Sequence, residues 1–119
     1  MAFVTVATVL LMAQAPANPD VASADLLAQN NEAAIERIEA NDRLDANDPA
    51  RLINLGIALA REGREDEARD MFRAVARSEA TVRLELAGGA WVDSDELARR
   101  ALRMLDSGAF APTGRMTMR

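Results

Sequence analysis

Hydrophobic positions follow four spacings in turn along this chain. From Ala2 to Met12 they form an unbroken run without a charge. From Asn31 to Arg77 they recur every three or four residues, the interval of an amphipathic helix. Between Thr81 and Val92 they alternate as in a strand, and from Ser94 the helical interval returns.

The helical stretch resolves into separate elements. Residues 18–31 are polar apart from Leu26-Leu27, where Ser23 is placed to cap a short helix. A clearer helix follows in "NEAAIERIEANDRL", with Asn31 as N-cap and Ala34, Ile35, Ile38 and Leu44 at helical intervals. The segment "DANDP" interrupts it. Asp48 is placed to accept orphan N–H groups, and Pro49 at the first helical position loses nothing by lacking its own. The next helix carries Leu52, Leu55, Gly56 and Leu59 on one face, and Gly63 ends it as a residue that tolerates a left-handed backbone. A further helix restarts with Glu65, Asp66 and Glu67, acids that suit the positive end of the helix dipole. Its apolar face is Ala68, Met71, Phe72 and Val75, with Arg73 and Arg77 toward its far end.

The alternating segment "TVRLELAGGAWV" sets Val82, Leu84 and Leu86 around Arg83 and Glu85 before Gly88-Gly89, the pattern of a β-hairpin. Trp91 is expected to plug the core beneath it. Asp93 with Glu96 reads as a capping box for a last helix that buries Leu97, Ala101, Leu102 and Leu105 and turns Arg99, Arg100 and Arg103 outward. The division expected is a leader over 1–17, a helical domain over 18–106 with a hairpin at about 81–92 and a terminal helix over 94–106, and a loose tail over 107–119. The fold class is mainly α: antiparallel helical hairpins closed by a short β-hairpin and a C-terminal helix.

Composition narrows the chemistry. Half of the 119 residues are hydrophobic, enough for a packed core in one domain. There is no His, Cys, Tyr or Lys, so all 14 basic residues are Arg. The usual general base, thiol nucleophile, soft metal ligands and Schiff-base amine are thereby excluded. Ser23, Ser78, Ser94 and Ser107 have no His to activate them. The net charge of −5 is concentrated in residues 18–48, which hold eight acids against two Arg. No basic stripe exists to neutralise phosphates, so nucleic acid is not an expected partner. Asp42, Asp45 and Asp48 recur every third residue, but without a glycine-centred loop or a distal Glu they read as a solvated turn and a cap, not a calcium site. Gly88-Gly89 lies between strands and not at a helix start, so it reads as a turn and not a phosphate cradle. No cofactor and no metal are expected, and the protein is expected not to be an enzyme.

Residues Leu52, Leu55-Gly56, Leu59, Ala68 and Phe72 fall in the register of a large residue, a Leu-Gly pair, a second large residue and Ala-x₃-Phe. This stretch resembles a tetratricopeptide repeat (TPR). Stepping back 34 residues from Ala68 and Phe72 reaches Ala34 and Ile38, a preceding half-copy, and "LDANDP" is similar to the family's inter-repeat link. Leu52 stands where the family prefers Trp, and Ala46 where it prefers Pro. About one and a half repeats are therefore implied. In such repeats the first helix lines a concave binding face. The resemblance thus implies partner binding by Ala50, Ile53, Asn54, Ile57, Ala60 and Arg61, with Asn54 and Arg61 holding a peptide backbone or carboxylate over an apolar floor. Gly56 and Ala68 form the implied close approach, with Leu59 and Phe72 filling the gaps.

The run from Ala2 to Met12 is short of the ~20 residues that span a bilayer. It suits the central part of a secretory signal, and Ala15-Pro16-Ala17 supplies the small-x-small cleavage pattern. No Arg precedes it, so either the start lies upstream or the amino terminus supplies the positive charge. The whole arrangement is similar to small exported TPR-like proteins of Gram-negative bacteria, periplasmic or secreted. The expected role is a non-enzymatic module binding a protein or peptide on the inner face of the repeat. The alternative is a structural subunit, a homodimer that completes its partial repeat stack with a second copy. Protein isolated from its native cell is expected to begin at Asn18 by N-terminal mass spectrometry; an intact N-terminus in the cytosol would overturn the leader.

Overall fold

The computed structural model describes the backbone of Ala13 and Gln14 and residues 22–111. Most of the expected leader lies outside the described residues, as do residues 112–119. In chain order the elements are β1 (Ala13–Gln14), α1 (Ser23–Leu27), α2 (Asn31–Ala40), α3 (Pro49–Arg61), α4 (Glu65–Arg77), β2 (Arg83–Leu86), β3 (Trp91–Asp93) and α5 (Ser94–Asp106). The architecture is mainly helical with a small antiparallel sheet and a C-terminal helix, as the hydrophobic spacing predicts. No helix among the described residues is long and apolar enough to cross a membrane.

α3 is the central element. Asp48 Oδ2 accepts the Arg51 N–H at 2.9 Å and Pro49 occupies the first turn, so the helix starts where expected. At the other end Arg64 N–H donates to the Leu59 carbonyl and Gly63 N–H to that of Ala60. This pair of bonds requires a left-handed residue, and Gly63 has φ 84°. Every residue from Leu52 to Ala60 is buried. A helix apolar around its whole circumference needs neighbours on every side. Here α4 packs most extensively on it, with α2, α5, α1 and β1 around the remainder.

Close approach of α3 and α4 rests on Gly56 and Phe72. A methyl group placed on Gly56 would lie 2.5 Å from Phe72 Cε1. The fully buried Phe72 ring therefore occupies the space that a side chain on α3 would need. Phe110 stacks on that ring, with centroids 6.2 Å apart and planes at 26°. Residues 107–110 thus differ from the loose tail expected there. Ala109 N–H donates to the Met104 carbonyl and Gly108 N–H to that of Leu105, and the chain turns back to bury Phe110. An ion pair from Arg69 to Asp106, 2.6 Å between Nη1 and Oδ1, ties α4 to the same end of α5.

The sheet has the order β1-β2-β3 with antiparallel neighbours. Leu86 N–H donates to the Ala90 carbonyl and Gly89 N–H to that of Leu86, closing a three-residue loop with Gly89 in the left-handed position. The expected capping box on α5 does not form, because Asp93 makes no side-chain cap bond. Ser94 instead joins the sheet: its N–H donates to the Val82 carbonyl at 2.8 Å, and its Oγ accepts the Val82 N–H at 3.0 Å. Ser23 and Asn31, expected as caps, do not stand at the N-cap positions, which Ala22 and Asn30 occupy. α1 starts at Ser23 and α2 at Asn31, each one residue beyond its N-cap.

Replacing Gly56 by Ala tests the α3–α4 contact. Helix propensity favours Ala by about 1 kcal/mol, whereas overpacking a filled core costs about 1–3 kcal/mol. With Phe110 stacked on the Phe72 ring, the clash should prevail, for a net loss of up to about 2 kcal/mol. Urea unfolding of Gly56→Ala is expected to show a lower midpoint with an unchanged slope; a raised midpoint would show that the ring swings aside.

Candidate functional site

The six residues implied by the repeat register do share one helix, α3, but they do not line an open groove. Ala50, Ile53, Asn54, Ile57 and Ala60 are all buried. The inner face is covered within the chain, by the N-terminal elements and α5 packed around α3. Ile53 and Ile57, the expected apolar floor, are core residues with no exposed surface. The signal for this lay in "LINLGIALA", which carries one polar residue in nine and so has no solvent-facing stripe.

Arg61 is half-buried and turned inward. Its Nη1 donates to the Leu26 carbonyl at 2.9 Å and to Asn31 Oδ1 at 3.3 Å. Leu26 lies in the last turn of a short helix whose C-terminal turn is closed by Gln29, a non-glycine residue at φ 62°. That backbone is unfavourable for a residue with a Cβ, so α1 depends on outside support. Buried Leu26, the Arg37–Asp25 ion pair and the Arg61 bond supply it. Burial also lowers the Arg61 pKa, and its Nη2 is buried without a hydrogen-bond partner among the described residues. Arg61 therefore braces α1 against α3 in this fold, where an exposed carboxylate-binding side chain was expected.

Two surface hollows are lined by described residues. One, of about 320 Å³, lies between α2 and the end of α3 and is lined by Glu32, Ile35, Glu36, Glu39, Glu62 and Arg64. Arg64 forms a two-pronged pair with Glu67, at 2.7 and 2.9 Å, which holds the arginine pKa up and the Glu67 pKa down. Both groups are fully solvated, so this is an exposed pair that adds little to stability. The other hollow, of about 260 Å³, lies on the hairpin and is lined by Arg83, Leu86, Ala90, Trp91, Val92, Asp93, Glu96 and Arg100.

Trp91 departs from its expected place in the core. Val92, Leu84 and Leu86 take the inward positions of the two strands, so alternation turns Trp91 outward opposite Glu85, and it is 51 % exposed. Val82, at the start of the same hairpin, is 40 % exposed. The aspartates behave as the solvated-turn reading expects: Asp45 Oδ1 accepts the Asn47 N–H and Asp48 caps α3. Among the described residues no group of three or more acidic side chains is placed to hold a metal ion.

Comparison of the chain with protein-family models, with curated proteins and with solved structures finds no match.

Arg61→Ala removes the hydrogen bonds to Leu26 and Asn31 and opens a void beside α1. The expected loss is about 1–3 kcal/mol, and it is local. Hydrogen exchange at the Leu26–Asn30 amides should accelerate more than at Leu55–Leu59. Equal acceleration at both places would show that Arg61 does not act as a brace.

Proposed function

We propose that this chain is a non-enzymatic protein–protein interaction module of the bacterial envelope, built on a TPR-like helix pair and receiving its partner on the β-hairpin. The observation that carries this reading is Trp91. The only tryptophan of the chain stands half-exposed on the hairpin, lining a hollow with Arg83 and Arg100. Tryptophan and arginine are the residues that most often dominate the binding energy of protein interfaces. A large ring held on a strand loses little conformational freedom when it is covered.

The non-enzymatic reading rests on the side chains available. The chain has no His, Cys, Lys or Tyr. Arg37–Asp25, Arg64–Glu67, Arg69–Asp106, Arg99–Asp95 and Arg100–Glu96 commit many of the charges to ion pairs at the surface. Self-association through an incomplete repeat stack has less support, since α3 is already covered on all sides within one chain.

Trp91→Ala is expected to change stability by about 1 kcal/mol or less, the scale of an exposed cross-strand pair. Cross-linking in the native envelope followed by mass spectrometry should then lose a partner that the wild type captures. Leu27→Ala, at an exposed leucine away from the hairpin, should retain it. If the Trp91 variant captures the same partner in the same yield, the hairpin is not the recognition surface.

A further inference from the structure

We infer that the free edge of β3, with the face of α5 beside it, is a strand-accepting groove for an extended partner segment of no net charge. The inference rests on the hairpin being the partner-binding surface and identifies how a partner engages it.

β3 is an edge strand, since the sheet order is β1-β2-β3 and no described strand lies beyond it. The bonds across the hairpin fix where its backbone groups point. Leu86 N–H donates to the Ala90 carbonyl and Ser94 N–H to that of Val82. Leu84 opposite Val92 lies midway between these two pairs, so the even-numbered residues bond across the hairpin. Antiparallel alternation turns the groups of the odd-numbered residues away from it. Those of Arg83 and Glu85 point to the β1 side. The N–H and C=O of Trp91 and the N–H of Asp93 point out of the opposite edge of the sheet. Among the described residues nothing outside the hairpin bonds to these three groups.

The hollow of about 260 Å³ runs along this edge. Its lining includes the consecutive residues Ala90, Trp91, Val92 and Asp93, whose side chains alternate between the two faces of the sheet. A depression on one face would meet only every second residue, so this one follows the strand itself. Glu96 and Arg100, one turn apart on α5, supply its helical side and pair with each other at 3.8 Å. A strand edge beside a gap of this kind admits a further strand, whose backbone supplies affinity and whose alternate side chains supply selectivity.

The chemistry of the occupant follows from the lining. It has no proline where it meets Trp91, because the outward Trp91 carbonyl needs a donor. Its residue opposite Trp91 lies on the same face as the half-exposed indole, so an apolar or aromatic side chain there covers the ring. Arg83 and Arg100 stand against Asp93 and Glu96 around the hollow, so an excess of either charge meets as much repulsion as attraction. With an edge of three residues the backbone bonds are few, and the complex is readily reversible.

The test uses the full chain and short fluorescent peptides selected on it from a random phage-displayed library, read by anisotropy. Asp93 has φ −70°, the value that proline imposes, and its N–H is an outward donor. Asp93→Pro therefore removes that donor and leaves the hairpin bonds in place, whereas Asp93→Ala removes only the carboxylate. Selected peptides should bind Asp93→Ala nearly as tightly as the wild type and Asp93→Pro about tenfold or more weakly. N-methylation along a selected peptide checks the same point without altering the protein, and binding should fall at every second residue. Failure to select any peptide, binding by Asp93→Pro equal to the wild type, or N-methyl losses without alternation overturns the strand-accepting edge. If Trp91→Ala loses a cross-linked partner that Asp93→Pro retains, the hairpin stands as the recognition surface and only the edge is wrong.

Discussion

The separation of α3 and α4 is set by a ring against a bare backbone. At Gly56 the helix surface has no side chain, and the Phe72 ring fills the space a methyl group would take. The rest of the packing follows from that approach. The ring becomes the floor on which Phe110 stacks, and Phe110 reaches it only because the chain reverses after α5. The Arg69–Asp106 pair closes the same junction from outside. Two of the four aromatic residues of the chain meet in this stack.

A close α3–α4 pair still leaves the opposite side of α3 to be covered. In an extended repeat array the next helix pair would do that and leave a concave face free. Here α1, α2, α5 and β1 supply the cover, and they come from both sides of the helix pair in sequence. Small residues make it feasible: Ala50, Gly56, Ala58 and Ala60 let neighbours approach from several directions. The result is a helix with no solvent stripe between Leu52 and Ala60. A helix buried over this length offers no open face of its own to a partner.

Helix limits were legible wherever they depend on local chemistry. Asp48-Pro49, Gly63 and the acidic start at Glu65 act within one turn of the residues they order, and α3 and α4 run between them. The hairpin around Gly88-Gly89 and the helix from Ser94 to Asp106 were legible for the same reason. The features that differ all depend on distant partners. Arg61 reads as exposed until Leu26, 35 residues earlier, is placed beside it. The Asp93 cap fails because Val82 fixes both the N–H and the hydroxyl of the neighbouring Ser94. Phe110 reads as tail until Phe72 is known to present a ring face. The pairing of Ala13 with Leu86 has no local signature at all.

Two independent properties of the hairpin come from the same period of two. Side chains alternate across the sheet, so burying Leu84, Leu86 and Val92 places Trp91 on the outside. Backbone groups alternate within the sheet, so bonding Leu86 to Ala90 and Val82 to Ser94 sends the groups of Arg83 and Glu85 to the outer edge. A one-residue change of register would reverse both at once, exchanging the core leucines with charged residues. The packing that stabilises the hairpin therefore fixes its exposed ring and its strand edge together. Glu85 faces Trp91 across one strand pair and Gln14 across the other, so it belongs to both features.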